Sequence, residues 1–127
     1  MGSNPTPSAP NMATMALELF AGIPVTDFKA ALSWYEKLLG APPVFFPNDT
    51  EAVWEVAEHR FVYIELLPDR AGHAMHTLIV DDLDTRVAAI AARGLEPAKR
   101  ETYDNGVRKI TYADPDGNEI GFGGMPL

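Results

Sequence analysis

The amino-acid sequence predicts an α+β domain built from two tandem β-α-β-β-β modules. Three observations lead there: an internal repeat, helical spacing of apolar residues at the same place in each repeat, and turn formers that divide the β-prone stretch after each helix. Ile23-Pro24-Val25-Thr26-Asp27 leads into an amphipathic run ending at Gly40, and Ile79-Val80-Asp81-Asp82 leads into another ending at Gly94. Asp27 and Asp82 stand about half the chain apart once the first fifteen residues are set aside, so each half reads as one supersecondary unit.

In the first module Phe28, Leu32, Tyr35 and Leu39 recur at helical spacing. Thr26 or Asp27 can cap the start, and Gly40 followed by Pro42-Pro43 ends the run. Residues 44–46, 52–57 and 61–67 are β-prone and are separated by Asn48-Asp49 and by Glu58-His59-Arg60, which predicts three strands in meander. The second module starts with a strand at 76–80. Leu83, Val87, Ile90 and Ala91 then give a helix an apolar face, with Asp82 or Asp84 at its positive end and Gly94 as its stop. Strands at 95–102, 107–113 and 119–122 come next, divided by Asp104-Asn105-Gly106 and by Asp114-Pro115-Asp116-Gly117-Asn118, both strong turn sequences. Pro68-Asp69-Arg70-Ala71-Gly72 links the modules. The boundaries expected are a leader over 1–15 and one domain over 16–127, with module one at 16–68 and module two at 73–124.

Composition sets the outer limits. A chain of 127 residues, 46% hydrophobic and 22% charged, suits one compact domain with its own core. Without cysteine there is no disulfide, thiolate metal site or cysteine nucleophile, and a cytoplasmic home is the default. The net charge of −8 disfavours nucleic acid and anionic membrane as partners, because both are polyanions. Residues 1–17 carry no charged side chain and hold Pro5, Pro7 and Pro10, but they lack a basic start and a continuous apolar stretch, so they read as a leader and not as a signal peptide. No stretch has the length and apolarity of a membrane span.

Four motifs in order carry a resemblance. Val25-Thr26-Asp27, Trp34-Tyr35-Glu36-Lys37-Leu38-Leu39-Gly40, Val80-Asp81-Asp82-Leu83 and the closing Asp114-Pro115-Asp116-Gly117-Asn118 resemble the vicinal oxygen chelate superfamily, the glyoxalase, bleomycin-resistance and extradiol dioxygenase relatives. The resemblance implies that the modules form an open cup-shaped mixed sheet. In metal-dependent members the first and last strands of each module supply four ligands to a divalent ion, which binds vicinal oxygens of a substrate. Carried over residue by residue, those positions fall on Phe20, Glu65, Met75 and Gly121. Only Glu65 has a ligating side chain, so the resemblance implies a member without the usual metal and with no cofactor.

With the register that the resemblance implies, alternation along strands would place Glu18, Phe20, Phe61, Tyr63, Glu65, His73, Met75, Thr77, Glu119 and Gly121 on the cup face. The ligand-binding residues expected are Phe20, Phe61, Tyr63, Met75, Thr77 and Gly121. Glu65, projecting among Phe20, Phe61 and Met75, would be desolvated; that favours its protonated form and suits a general base or hydrogen-bond donor. The alternative is a salt bridge, or a hydrogen bond to Tyr63 or Thr77. Glu18, His73 and Glu119 would form a displaced metal site, or else sit at solvated strand ends and in the linker. His76 points by parity toward the helices and reads as structural, and the turn residue His59 reads as a surface residue. Trp34 and Tyr35 are expected in the core or at a dimer contact, and Trp54 lining the cup or facing solvent. The function implied is a homodimeric binder of a small organic ligand, with a cationic drug suited to the acidic balance. The alternative is a metal-independent or displaced-metal lyase or isomerase using Glu65 as acid/base.

Overall fold

The computed structural model describes residues 17–125, so the expected leader lies outside the described residues. The first module contains β1 (Leu19–Val25), α1 (Phe28–Leu39), β2 (Phe45–Asn48), β3 (Glu51–Ala57) and β4 (Arg60–Leu66). After a single 3-10 turn at Pro68–Arg70 the second repeats the order with β5 (Met75–Val80), α2 (Leu83–Ala92), β6 (Lys99–Thr102), β7 (Arg108–Ala113) and β8 (Glu119–Gly124). Each module makes a four-stranded mixed sheet, ordered β1-β4-β3-β2 in one and β5-β8-β7-β6 in the other. In both, the first strand pairs in parallel with the last, and the remaining pairs are antiparallel.

Helix α1 is set by its ends. The Asp27 carboxylate accepts from the Ala30 amide, and Gly40 turns left-handed at φ 76°, where its N–H reaches the Glu36 carbonyl. The expected strand at 95–102 is corrected to Lys99–Thr102. The Leu95 amide bonds back to the Ile90 carbonyl at the end of α2, and Pro97 has no N–H for a ladder.

One apolar core joins the modules. Ile23, Val25, Tyr35, Leu38, Trp54 and Ile64 from the first meet Leu83, Ile90, Tyr112, Ile120 and Phe122 from the second. Trp54 is therefore corrected: it neither lines the cup nor faces solvent but is 2% exposed, and its indole N–H donates to the Ala41 carbonyl at 2.9 Å. Its neighbours in the ladder explain the burial, since Ala52 and Trp54 share a face with Ile64 and Val62.

The sheets are joined by side chains and not by a ladder. Among the described residues β1 pairs only with β4, which leaves its other edge without a strand there. On it the Gly22 carbonyl lies 3.0 Å from His76 Nε2, and the Pro24 carbonyl accepts from the Asn118 amide at 2.8 Å. Asn118 is fully buried. Its Oδ1 accepts from the Gly72 and Ala74 amides, and its Nδ2 also donates to Asp114. Asp114 in turn accepts from the Tyr35 hydroxyl at 2.8 Å, while Asp116 accepts from the Thr26 amide and hydroxyl. The Asp114-Pro115-Asp116-Gly117-Asn118 turn is thus an interlock between β1, α1 and the linker, with its buried polar groups satisfied.

Candidate functional site: the outer sheet faces

The parallel register Phe20↔Phe61, Gly22↔Tyr63 and Pro24↔Glu65 puts these residues on the face of the first sheet turned away from the core. On the second sheet Met75↔Glu119 and Thr77↔Gly121 do the same. Both faces are open. Phe20 and Phe61 stack with centroids 4.4 Å apart and planes within 7°, yet Phe20 remains 45% exposed. Tyr63 lies across Gly22: a Cβ there would come within 2.7 Å of the ring's Cζ and Oη. Met75 is 72% exposed, and Ile79, next but one on its face, is also exposed.

The expected site residues divide between two hollows. Tyr63 and Glu65 line a cavity of about 360 Å³ with Gly22, Pro24, His73 and His76. Phe61, Met75 and Thr77 border a larger cleft of about 1240 Å³ between the modules, which runs to the start of α2. Phe20 borders neither, although it stacks on Phe61. Gly121 lies under the Lys109 side chain. Glu65 is partly exposed, and the described residues offer it no hydrogen bond to Tyr63 or Thr77.

The residues present do not fit the family's divalent ion. Phe20, Met75 and Gly121 bring no side-chain oxygen or nitrogen. Glu18 lies 3.5 Å from His59 across the β1 entry, His73 borders the Glu65 cavity, and Glu119 is exposed at the start of β8. Among the described residues no three His, Cys, Asp or Glu side chains converge where an ion could be held.

Two residues that sequence reasoning missed stand on the second face. Thr111 pairs with Gly121 and Lys109 with Gly123, so both share the face of Thr77. The signal was available in the alternation of residues 107–113. It needed the hairpin register, which the five-residue turn fixes only once its hydrogen bonds are known. Arg93 was also missed; it donates to the Lys37 and Leu38 carbonyls at the end of α1 and ties the helices together.

Paired β-α-β-β-β sheets with a shared helical core and open outer faces define a cup-forming α+β class. The chain belongs to the Glyoxalase/Bleomycin resistance protein/Dioxygenase superfamily, whose family model matches residues 16–122. A glyoxalase / bleomycin resistance protein from Catenulispora acidiphila is 59% identical with a TM-score of 0.85, covering 87% of this chain and 100% of that one. A bleomycin-binding protein complexed with bleomycin has a TM-score of 0.70 at 19% identity, covering 86% and 98%. A bleomycin resistance determinant encoded on the transposon Tn5 has a TM-score of 0.71 at 19% identity, covering 88% and 100%. At that identity the likeness is one of fold. Among curated proteins, none matches. No helix among the described residues is long and apolar enough to cross a membrane.

Proposed function

We propose that this chain binds a small organic ligand on its outer sheet faces, without the family's metal, as a homodimer in which a second copy closes the site. The observation that carries the reading is the Phe20–Phe61 stack, a flat aromatic surface left open beside Tyr63 and Glu65. Large apolar side chains are rarely left open in such a group unless something covers them. An aromatic wall with a few placed polar groups is the usual composition of a small-molecule site. The fold accommodates a ligand in the bleomycin-binding protein, which supports the class of function and not the ligand's identity.

The test is a thermal-shift screen of untagged protein against small aromatic molecules, paired with metal analysis after incubation with Ni²⁺, Zn²⁺, Mn²⁺ and Fe²⁺ and desalting. The expected result is stabilisation by some compounds, lost in Phe61→Ala, with no ion above background. A stoichiometric ion, or hits indifferent to Phe61→Ala, would sink the reading.

A second reading has its own observation. Glu65, Tyr63 and His73 border one cavity, so a carboxylate, a phenol and an imidazole stand near enough to share a bound molecule. Acid/base chemistry there predicts chemical change of a hit compound that Glu65→Gln abolishes while leaving its binding intact, read by NMR of the compound over time. Unchanged hits in wild type would reject it.

A further inference from the structure

The second sheet's outer face has a floor without side chains. Gly121 and Gly123 alternate along β8 on that face, opposite Thr77 and Ile79 on β5. Two side chains lie over the gap. A Cβ on Gly123 would meet Ile79 Cδ1 at 2.7 Å, and one on Gly121 would meet Lys109 Cε at 2.7 Å and Thr77 Oγ1 at 3.5 Å.

Lys109 arrives there against its nearest electrostatic attraction. Its cross-strand partner in β6 is Glu101. That carboxylate instead pairs with Lys99 at 3.7 Å, and Arg108, one residue before Lys109, is held by Asp84 through two hydrogen bonds of 2.9 and 3.1 Å. Among the described residues Lys109 itself makes no ion pair. Its Cγ and Cε lie over Gly121, which brings the ammonium, a donor of up to three hydrogen bonds, to this face.

Beside it stands a second polar group that lacks a partner. Thr111, opposite Gly121, is only 5% exposed, and its hydroxyl makes no hydrogen bond among the described residues. The hydroxyl sealed from solvent without a partner among the described residues is that of Tyr112; the Thr111 hydroxyl keeps an opening, and beside a free ammonium it can donate to an acceptor oxygen.

From this we infer that Lys109, Thr111 and Thr77 form an oxyanion-receiving half-site, and that the ligand carries a carboxylate or a similarly compact anionic group. The inference rests on the ligand-binding reading above and specifies the chemistry of that ligand. It replaces the cationic drug suggested by net charge. A chain at −8 repels anions at long range, and one is recruited only where a local cation and neutral donors act at contact distance. Ammonium and hydroxyls can donate together, and of the carboxylates on this face Glu101 is paired with Lys99, while Glu119 stands at the start of β8 opposite Met75 and not opposite Thr77.

The test uses three probes of one size, benzoate, benzylamine and benzyl alcohol, titrated into ¹⁵N-labelled full-length protein. Benzoate is expected to shift the amides of Thr77, Thr111, Gly121 and Gly123 most strongly. Its affinity should fall at least tenfold in Lys109→Met and recover in Lys109→Arg, with the amide spectrum elsewhere unchanged as the control for folding. Thr111→Val, a near-isosteric change, should weaken benzoate without affecting benzyl alcohol. Equal responses to all three probes, or a benzoate response that Lys109→Met leaves intact, would overturn the anion assignment while leaving the ligand-binding reading in place. A response to benzylamine alone at these amides overturns the assignment as well. Silence of all three at both sheet faces overturns the assignment and the ligand-binding reading together.

Discussion

At the scale of single residues, the two buried tyrosines show how the interlock differs from ordinary packing. Tyr35 and Tyr112 are both fully buried, but only Tyr35 has a partner for its hydroxyl. Burial first, then the charge of Asp114, holds the Tyr35 phenol well above its ordinary pKa of 10.0. The folded chain therefore keeps a proton that the unfolded chain gives up. The stability linked to this group is complete below pH 10 and falls as the pH rises beyond that value. Tyr35→Phe is expected to cost about 1–2 kcal/mol at neutral pH, because Asp114 loses a donor. It should also flatten the alkaline decline seen in thermal denaturation across neutral to alkaline pH. Tyr112→Phe removes a hydroxyl with no partner among the described residues, so its cost should be near zero or negative. Equal losses from the two substitutions would show that the Asp114 bond contributes nothing beyond packing.

Among elements, legibility tracked how local the determinants are. Helix α1 was readable end to end, because its cap, its apolar spacing and its stop all lie within fourteen residues of one another. Gly40→Ala tests that stop. It places a Cβ at φ 76° and within 3.0 Å of the Arg93 guanidinium carbon, so a loss of about 1–3 kcal/mol is expected in chemical denaturation. A change below a few tenths would mean the left-handed turn is not required. Strand β6 was read four residues too long, since its β-prone start is consumed by the end of α2 through a bond to Ile90 that no local pattern announces. Trp54 was misplaced for a related reason. Its face depends on the register of β3 against β4, and the irregularity between Glu55 and Ala57 is not written in the alternation. The candidate site divided the same way. The shared faces of Phe20, Phe61, Tyr63 and Glu65, and of Met75, Thr77 and Gly121, came from period-two alternation. The separation of these residues into two hollows, and the arrival of Lys109 over Gly121, depend on packing between modules and on a missing side chain.

Taken whole, the molecule has one core between its sheets and two outer faces that differ in charge. The first face carries Glu51, Glu55 and Glu65 around the aromatic stack, because each pairs with a residue of that face in the β3–β4 or β1–β4 register. The second carries Lys99 and Lys109 as well as Glu101 and Glu119 among Thr111, Thr77 and the glycines, with Glu101 matched by Lys99. A second copy turned about a two-fold axis would set the acidic aromatic face of one protomer against the lysine-bearing, glycine-floored face of the other, twice over. That pairing would bring Tyr63 and Glu65, which border one hollow, toward Thr77, which borders the other, and toward Lys109. It predicts a dimer whose dissociation constant rises with salt and rises by at least 100-fold in Phe20→Asp, which adds acid to the aromatic face without touching the core. Sedimentation at low and high ionic strength reads both effects. A monomer at every concentration, or a dimer indifferent to Phe20→Asp, would place the open faces outside any self-association and leave each half-site to act alone.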